Sequence, residues 1–279
     1  MTLGVFFAVI FAALLHACWN ALVKLGPSKI SGMLAMTMAQ GAGSLVVALL
    51  RPFPNAEVWP WLLATGVVHS AYKLFLTYAY EQGDLSRVYP IARGAAPMIV
   101  LVVSSVFLID ALSIAELAGI AVLGLGIFLM ARGVFSSGES RRLLPFALGS
   151  AVATASYSLL DGLGARISGD PVTFVAWMFA LDAFFFLPIA LFLRGPSIFR
   201  ADAKSLLFGI AGAAFSFGAY VIAVWAMTVS PIALVTALRE TSILFAVLIG
   251  WLVFKEPMDR NKAVAAALIV LGVMLTRIV

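Results

Sequence analysis

Arg93 and Arg239 each lie inside a long apolar stretch, and shifting the chain along itself by about 146 positions lays one upon the other. The same register pairs Asp110 with Glu256, Gly126 with Gly272 and Leu129 with Leu275. A guanidinium at membrane depth costs about 2.5–3.5 kcal/mol on insertion scales, so a chain that keeps two at equivalent places is expected to use both. Their forked donors suit the oxygens of a carboxylate, phosphate or phosphonate. Other polar residues recur at helical spacing. His69 and Lys73 stand at i, i+4, as do Tyr89 and Arg93, with Pro97 four residues further on. His16 with Asn20 and Tyr157 with Asp161 are also i, i+4 pairs, related to each other by an offset near 141, so each presents one polar stripe.

These residues divide by chemistry. Arg93, Arg239, Lys73, His16, Trp19, Asn20, Tyr89 and Tyr157 are the expected solute contacts. Asp161, Asp182, Glu240 and His69 are the expected proton-coupling groups, because burial disfavours the charged form of a carboxylate and moves its titration toward a useful range. Asp161 leads this set, since it occupies the place that Asn20 holds in the other half. The competing reading is a self-neutralising network, with Lys73, Arg93 and Arg239 balanced by Asp161, Asp182 and Glu240. Arg239 and Glu240 are adjacent and point roughly 100° apart on a helix, so they are expected to find partners elsewhere. No metal or cofactor site is expected: the lone Cys18 lies in an apolar segment and the two histidines fall on different helices.

The elements that must position these groups follow from composition. With 279 residues, 63% hydrophobic, 11% charged and a mean hydropathy of +1.09, the chain is a polytopic membrane protein. The net charge of +5 is scattered through short connections, which argues against a nucleic-acid partner. At about 20 residues per crossing, ten helices are expected, near 3–23, 30–50, 58–80, 87–108, 114–132, 144–164, 171–193, 205–228, 232–253 and 262–279. Turn residues mark the breaks at Gly26-Pro27, Pro52-Phe53-Pro54, Gly169-Asp170-Pro171 and Gly195-Pro196. Pro90 and Pro97 are expected to kink the fourth helix. A polar connection at the midpoint divides the chain into residues 1–135, a linker 136–143, and 144–279. Five helices per half make the second copy enter from the opposite face. The fold class is therefore all-α integral membrane, ten transmembrane helices in two inverted five-helix repeats, with a shared midplane cavity.

The doubled unit and the ending VLIGWLVFKEPMDRNKAVAAALIVLGVML resemble the EamA branch of the drug/metabolite transporter superfamily over essentially the whole chain. Asp110 and Glu256, each closing a fourth helix ahead of a glycine-containing fifth, are similar to that family's repeated pattern; Asp110-Ala111-Leu112 departs from its usual glutamate-containing turn. His16-Ala17-Cys18-Trp19-Asn20 resembles a branch associated with phosphonate-utilisation genes. The resemblance implies a carrier without enzymatic activity or cofactor, and basic residues on the fourth and ninth helices that hold anionic groups.

The function expected is secondary transport of a small anionic or zwitterionic metabolite (amino-acid-like, phosphorylated or a phosphonate) by alternating access. The expected setting is the cytoplasmic membrane of a bacterial-type cell, as a monomer or loose dimer, with protons or a counter-substrate as possible partners. The alternative within transport is export of amino acids or drug-like amphiphiles. Two other classes find less support. An intramembrane enzyme would need a nucleophile or metal motif of a kind not found, and a channel would need a non-helical apolar insert. Lys and Arg are concentrated in the connections after odd-numbered helices, which by the positive-inside rule puts both termini outside, whereas the resemblance implies cytoplasmic termini.

Overall fold

The structure, a computed structural model, describes residues 1–25, 29–82, 93, 95–107, 110–136, 142–196, 203–253, 255 and 260–277. Those residues form α1 (Leu3–Leu25), α2 (Lys29–Leu49), a 3₁₀ turn (Ala56–Val58), α3 (Trp59–Gln82), α4 (Ala96–Val106), α5 (Ile114–Ser136) and α6 (Leu143–Ser168). They continue through α7 (Pro171–Arg194), α8 (Ala203–Val229), α9 (Ile232–Arg239), α10 (Ser242–Leu252) and α11 (Arg260–Leu275). No strand occurs among the described residues.

Local chemistry sets the boundaries. α6 stops at Gly169, whose φ of 68° is left-handed, and α7 starts two residues later, at Pro171. Asp170 caps α7 by accepting the N–H groups of Val172 and Thr173 at 3.0 and 3.2 Å, and Pro171 fills a first-turn position that needs no N–H. Burial pushes the Asp170 carboxyl up, but hydrogen bonds from Arg51 and Thr173 and the Arg51 charge outweigh it and hold the group below its ordinary value. Ser113 and Glu116 make a reciprocal capping box at the start of α5, with bonds of 2.9 and 3.2 Å. Pro97 opens α4 from the first turn instead of kinking its interior, because an N–H is dispensable there. Pro90 and Tyr89 lie outside the described residues.

The expected ninth helix is broken. At the α9–α10 junction the N–H groups of Glu240, Thr241, Ile243 and Leu244 bond carbonyls three residues back. The tighter turn changes the rotation of the helix. α4 and α10 correspond end to end in the 146-residue register, and each arginine lies three residues before its segment starts.

Packing joins the two halves symmetrically. The strongest contacts are α5 with α11, α1 with α8, α3 with α6, and α2 with α7. α2 with α8 is mirrored by α3 with α7, and α1 with α9 and α10 is mirrored by α4 with α6. The glycines show the same exchange. A Cβ on Gly126 would fall 2.9 Å from Ala265 O and Ile269 N, and one on Gly272 would fall 2.6 Å from Leu123 N and 2.7 Å from Gly119 O. Ala265 and Ile269 are the register equivalents of Gly119 and Leu123, so the contact maps onto itself when the halves are swapped.

The molecule is polar inside and apolar outside. Arg93, Lys73, Asp161, Asp182 and Glu240 are buried, whereas Phe7, Phe11, Val46, Phe128, Phe184 and Phe192 face outward. Water would enforce the reverse arrangement; lipid permits this one. Among the described residues, five helical segments are long and apolar enough to cross a bilayer by themselves. α3 and α6 are not among them because they carry the ionisable stripes, and they pack on one another in the interior.

Candidate functional site

α3 presents two polar faces. Ser70, Lys73 and Thr77 form one of them. Lys73 Nζ donates to Asp182 of α7 and to Thr37 Oγ1 of α2 at 2.9 Å, and Ser70 Oγ donates to Asp182 Oδ1 at 3.2 Å. Lys73 thus has its own acid and the Thr37 hydroxyl. Asp182 is not a free carboxylate.

Thr65 and His69, one turn apart, make the other face. Both reach Asp161 of α6, with His69 Nε2 at 3.0 Å, and Tyr220 of α8 donates its hydroxyl to the same carboxylate. Sequence reasoning allowed Asp161 a salt bridge to Lys73 or an arginine. The structure gives it an imidazole and two hydroxyls instead, because Lys73 is turned toward α7. The His69 ring stacks on Tyr157 with centroids 4.2 Å apart.

Tyr157 leads to the first arginine. Arg93 Nη1 donates to the Tyr157 hydroxyl at 3.2 Å, while its Nη2 and Nε engage Glu240 Oε1 and Oε2 at 2.7 and 3.2 Å. This bidentate pair lies wholly inside the protein. Arg93 therefore has an internal acid as its partner. Such a pair satisfies both charges, and losing either member would leave an uncompensated buried ion.

Arg239 differs. It is 4% exposed, and among the described residues no hydrogen bond or salt bridge holds its guanidinium, which stands 5.1 Å over the Tyr220 ring. The reason is visible in the register. Arg93 takes its acid from position 240 of the other half, and the equivalent position in the first half is Gly94, which has no side chain to offer Arg239.

On α1, Trp19 Nε1 donates to His16 Nδ1 at 3.1 Å and Asn20 Nδ2 donates to His16 O at 2.8 Å. The charges of Arg93 and Arg239 both reach His16.

The structure thus brings Glu240, Arg93, Tyr157, His69, Asp161, Tyr220 and Arg239 into one continuous path. Lys73 with Asp182, and His16 with Trp19 and Asn20, flank it. Sequence reasoning missed Thr65, Thr37, Ser70 and the contact role of Tyr220. Thr65 at i−4 from His69 and Ser70 at i−3 from Lys73 were the available signals. The bonds that join α3 and Arg93 to Asp161, Asp182, Tyr157 and Glu240 run between halves, as does Gln40 Nε2 to Ser216 Oγ at 3.0 Å. Among the described residues no group of His, Cys, Asp and Glu could hold a metal ion.

No curated protein matches the sequence. A solved structure described only as "Crystal structure of protein" is similar in fold, with a TM-score of 0.76 at 19% identity over 99% of this chain and 98% of that one. The sequence matches the EamA-like transporter family twice, over residues 2–132 and 142–278. A doubled, all-helical, apolar-faced protein with paired ions in its interior is what two such units make, and the chain belongs to the EamA-like transporter family, a multi-pass membrane transporter of the drug/metabolite type.

Proposed function

We propose that this protein is a ten-span secondary carrier, built as two inverted five-span halves, that moves a small anionic or zwitterionic metabolite across a bacterial-type cytoplasmic membrane by alternating access. The observation that carries the reading is the unpaired charge of Arg239. Lys73 has Asp182 and Arg93 has Glu240, but among the described residues Arg239 makes no hydrogen bond or ion pair of its own: it stands over the Tyr220 ring and shares only the field of the Glu240 carboxylate that Arg93 holds. A buried guanidinium without an acid is stabilised by an anion that arrives and leaves, which is the property a carrier's solute site needs. Phosphorylated compounds, phosphonates and carboxylates all fit the charge.

Asp161 is the proton-coupling group in this reading. Glu240 and Asp182 face cations, an arginine that stays protonated and a lysine, whereas Asp161 is held by His69, Tyr220 and Thr65. His69 Nε2 stands 3.0 Å from the Asp161 carboxylate, close enough for direct proton exchange, and among the described residues no lysine or arginine holds that carboxylate.

The test is uptake into proteoliposomes from a screen of phosphorylated metabolites, aminophosphonates and amino acids. Saturable uptake stimulated by solute preloaded inside supports a carrier, and chemical conversion of the solute would point to an enzyme. Arg239→Ala should weaken affinity about 30-fold or more, in keeping with loss of roughly 2 kcal/mol or more from a buried charged contact, and Arg239→Lys should recover part of it. A folded Arg239→Ala protein with unchanged affinity removes Arg239 from the solute site.

A further inference from the structure

His16 holds a second unpartnered group in the same interior. An indole nitrogen only donates, so the 3.1 Å bond from Trp19 Nε1 requires a lone pair on His16 Nδ1. An imidazolium would set two N–H donors against each other. The ring is therefore neutral with its proton on Nε2. That Nε2–H is buried and has no hydrogen-bond partner among the described residues, in a side chain only 7% exposed. An orphaned buried donor asks for an acceptor.

Its neighbourhood is that of Arg239. α1 crosses α8 with Trp19 Cβ 3.9 Å from the position of a Cβ on Gly212, and Leu15 Cδ1 3.5 Å from that of one on Gly218. His16, between Leu15 and Trp19, lies level with the stretch of α8 that leads to Tyr220, the residue beneath Arg239. α1 also packs on α9, which ends at Arg239, and on α10, which starts three residues later. Pseudo-symmetry agrees. His16 is the counterpart of Tyr157 at the 141 offset, and Tyr157 bonds Arg93, the counterpart of Arg239. The first of these two equivalent corners is closed by Glu240; in the second the register puts a glycine where the first has the glutamate, and among the described residues its two donors have no acceptor.

We infer that His16 Nε2–H and the Arg239 guanidinium form one oxyanion subsite, with Trp19 as the positioning residue that fixes the imidazole tautomer. The occupant is the carboxylate, phosphate or phosphonate end of the solute, presenting unprotonated oxygens to both donors. An ammonium group is refused there by two donors, one of them a cation. This assignment rests on the carrier reading above, and binding is therefore measured apart from transport.

The purified full-length protein in detergent is melted with increasing methylphosphonate, inorganic phosphate or acetate, with methylammonium chloride as the control. Oxyanions should raise the melting temperature of the unmutated protein, and the control should not. His16→Phe should weaken the apparent oxyanion affinity roughly tenfold, and His16→Gln, which restores an N–H donor, should recover most of it. Because the chain has only two histidines, ¹⁵N spectra assigned with His16→Phe report the tautomer directly. Nε2 should be protonated and should shift on adding oxyanion, and Trp19→Phe should mix the tautomers. A proton on Nδ1, an Nε2 signal indifferent to oxyanions, or a folded His16→Phe protein of unchanged affinity overturns the assignment. If Arg239→Ala loses the stabilisation while His16→Phe keeps it, the cationic site stands and His16 leaves it. If no oxyanion stabilises the unmutated protein, the anionic-solute reading falls as well. Should His16→Phe fail to fold, the spectra of the unmutated protein decide.

Discussion

At the scale of single residues, two arginines equivalent in sequence do different work because one neighbouring position differs. Arg93 is matched by Glu240 in bidentate geometry, whereas Arg239 stands over the Tyr220 ring and makes no ion pair among the described residues. Substitutions should separate them. Arg93→Ala or Glu240→Ala strands a buried ion and should lower unfolding stability by roughly 3–5 kcal/mol, while the uncharged pair Arg93→Met with Glu240→Gln should lose less than the sum of the single changes. Arg239→Ala should change stability little and solute affinity much. Melting curves in detergent for the four proteins check this, and a stable Arg93→Ala protein would show that the pair contributes nothing. Asp161→Asn should abolish solute accumulation driven by a pH gradient while leaving solute exchange intact; unchanged accumulation rules Asp161 out as the coupling group. The sequence made the arginines, His69, Lys73 and the buried acids legible, since charges at membrane depth stand out against an apolar background. Which acid met which cation was not legible. That depends on rotations about helix axes and on the broken turn at Glu240, which no spacing rule encodes.

At the scale of elements, close approach of helices and the chemistry of caps decide stability. Gly126 and Gly272 let α5 and α11 touch through backbone atoms, so even a methyl group must push the helices apart. Gly272→Ala and Gly126→Ala should each destabilise by about 1–3 kcal/mol, and by similar amounts because the two contacts are mirror images. Two well-separated values in melting experiments would argue against the equivalence. The cap at Asp170 gives a pH test. Its carboxyl titrates below its ordinary value of 3.8 in the folded protein, so its contribution is complete above that value and is lost as pH falls through the lower folded value. The Arg51 contact is partly exposed and contributes little, leaving the cap of about 1 kcal/mol as the main effect. Asp170→Ala, which removes the cap, should differ from the unmutated protein by a constant amount at neutral pH, with the gap narrowing only below about pH 4. A gap that closes near neutrality would assign the titration to another group.

At the scale of the whole molecule, two related halves share one interior, and their relation was legible because hydropathy, the 146-residue register and turn residues all agree. The break between α9 and α10 was not legible, since no proline or glycine marks it and 3₁₀ hydrogen bonds carry the chain through. Orientation separates the charge rule from the family resemblance. Two ion pairs between halves, Arg51 with Asp170 and Arg166 with Asp110, join connections that follow even-numbered spans. Lys and Arg are sparse on that side and abundant on the other, which places the even side outside if short loops obey the positive-inside rule. Asn55 and Ala203 are exposed and belong to connections after an even and an odd span. In a Cys18→Ala background, Asn55→Cys should react with an impermeant thiol reagent in intact cells, and Ala203→Cys should react only after the membrane is opened. The reverse pattern would place both termini in the cytoplasm, and labelling of both in intact cells would break the ten-span reading itself.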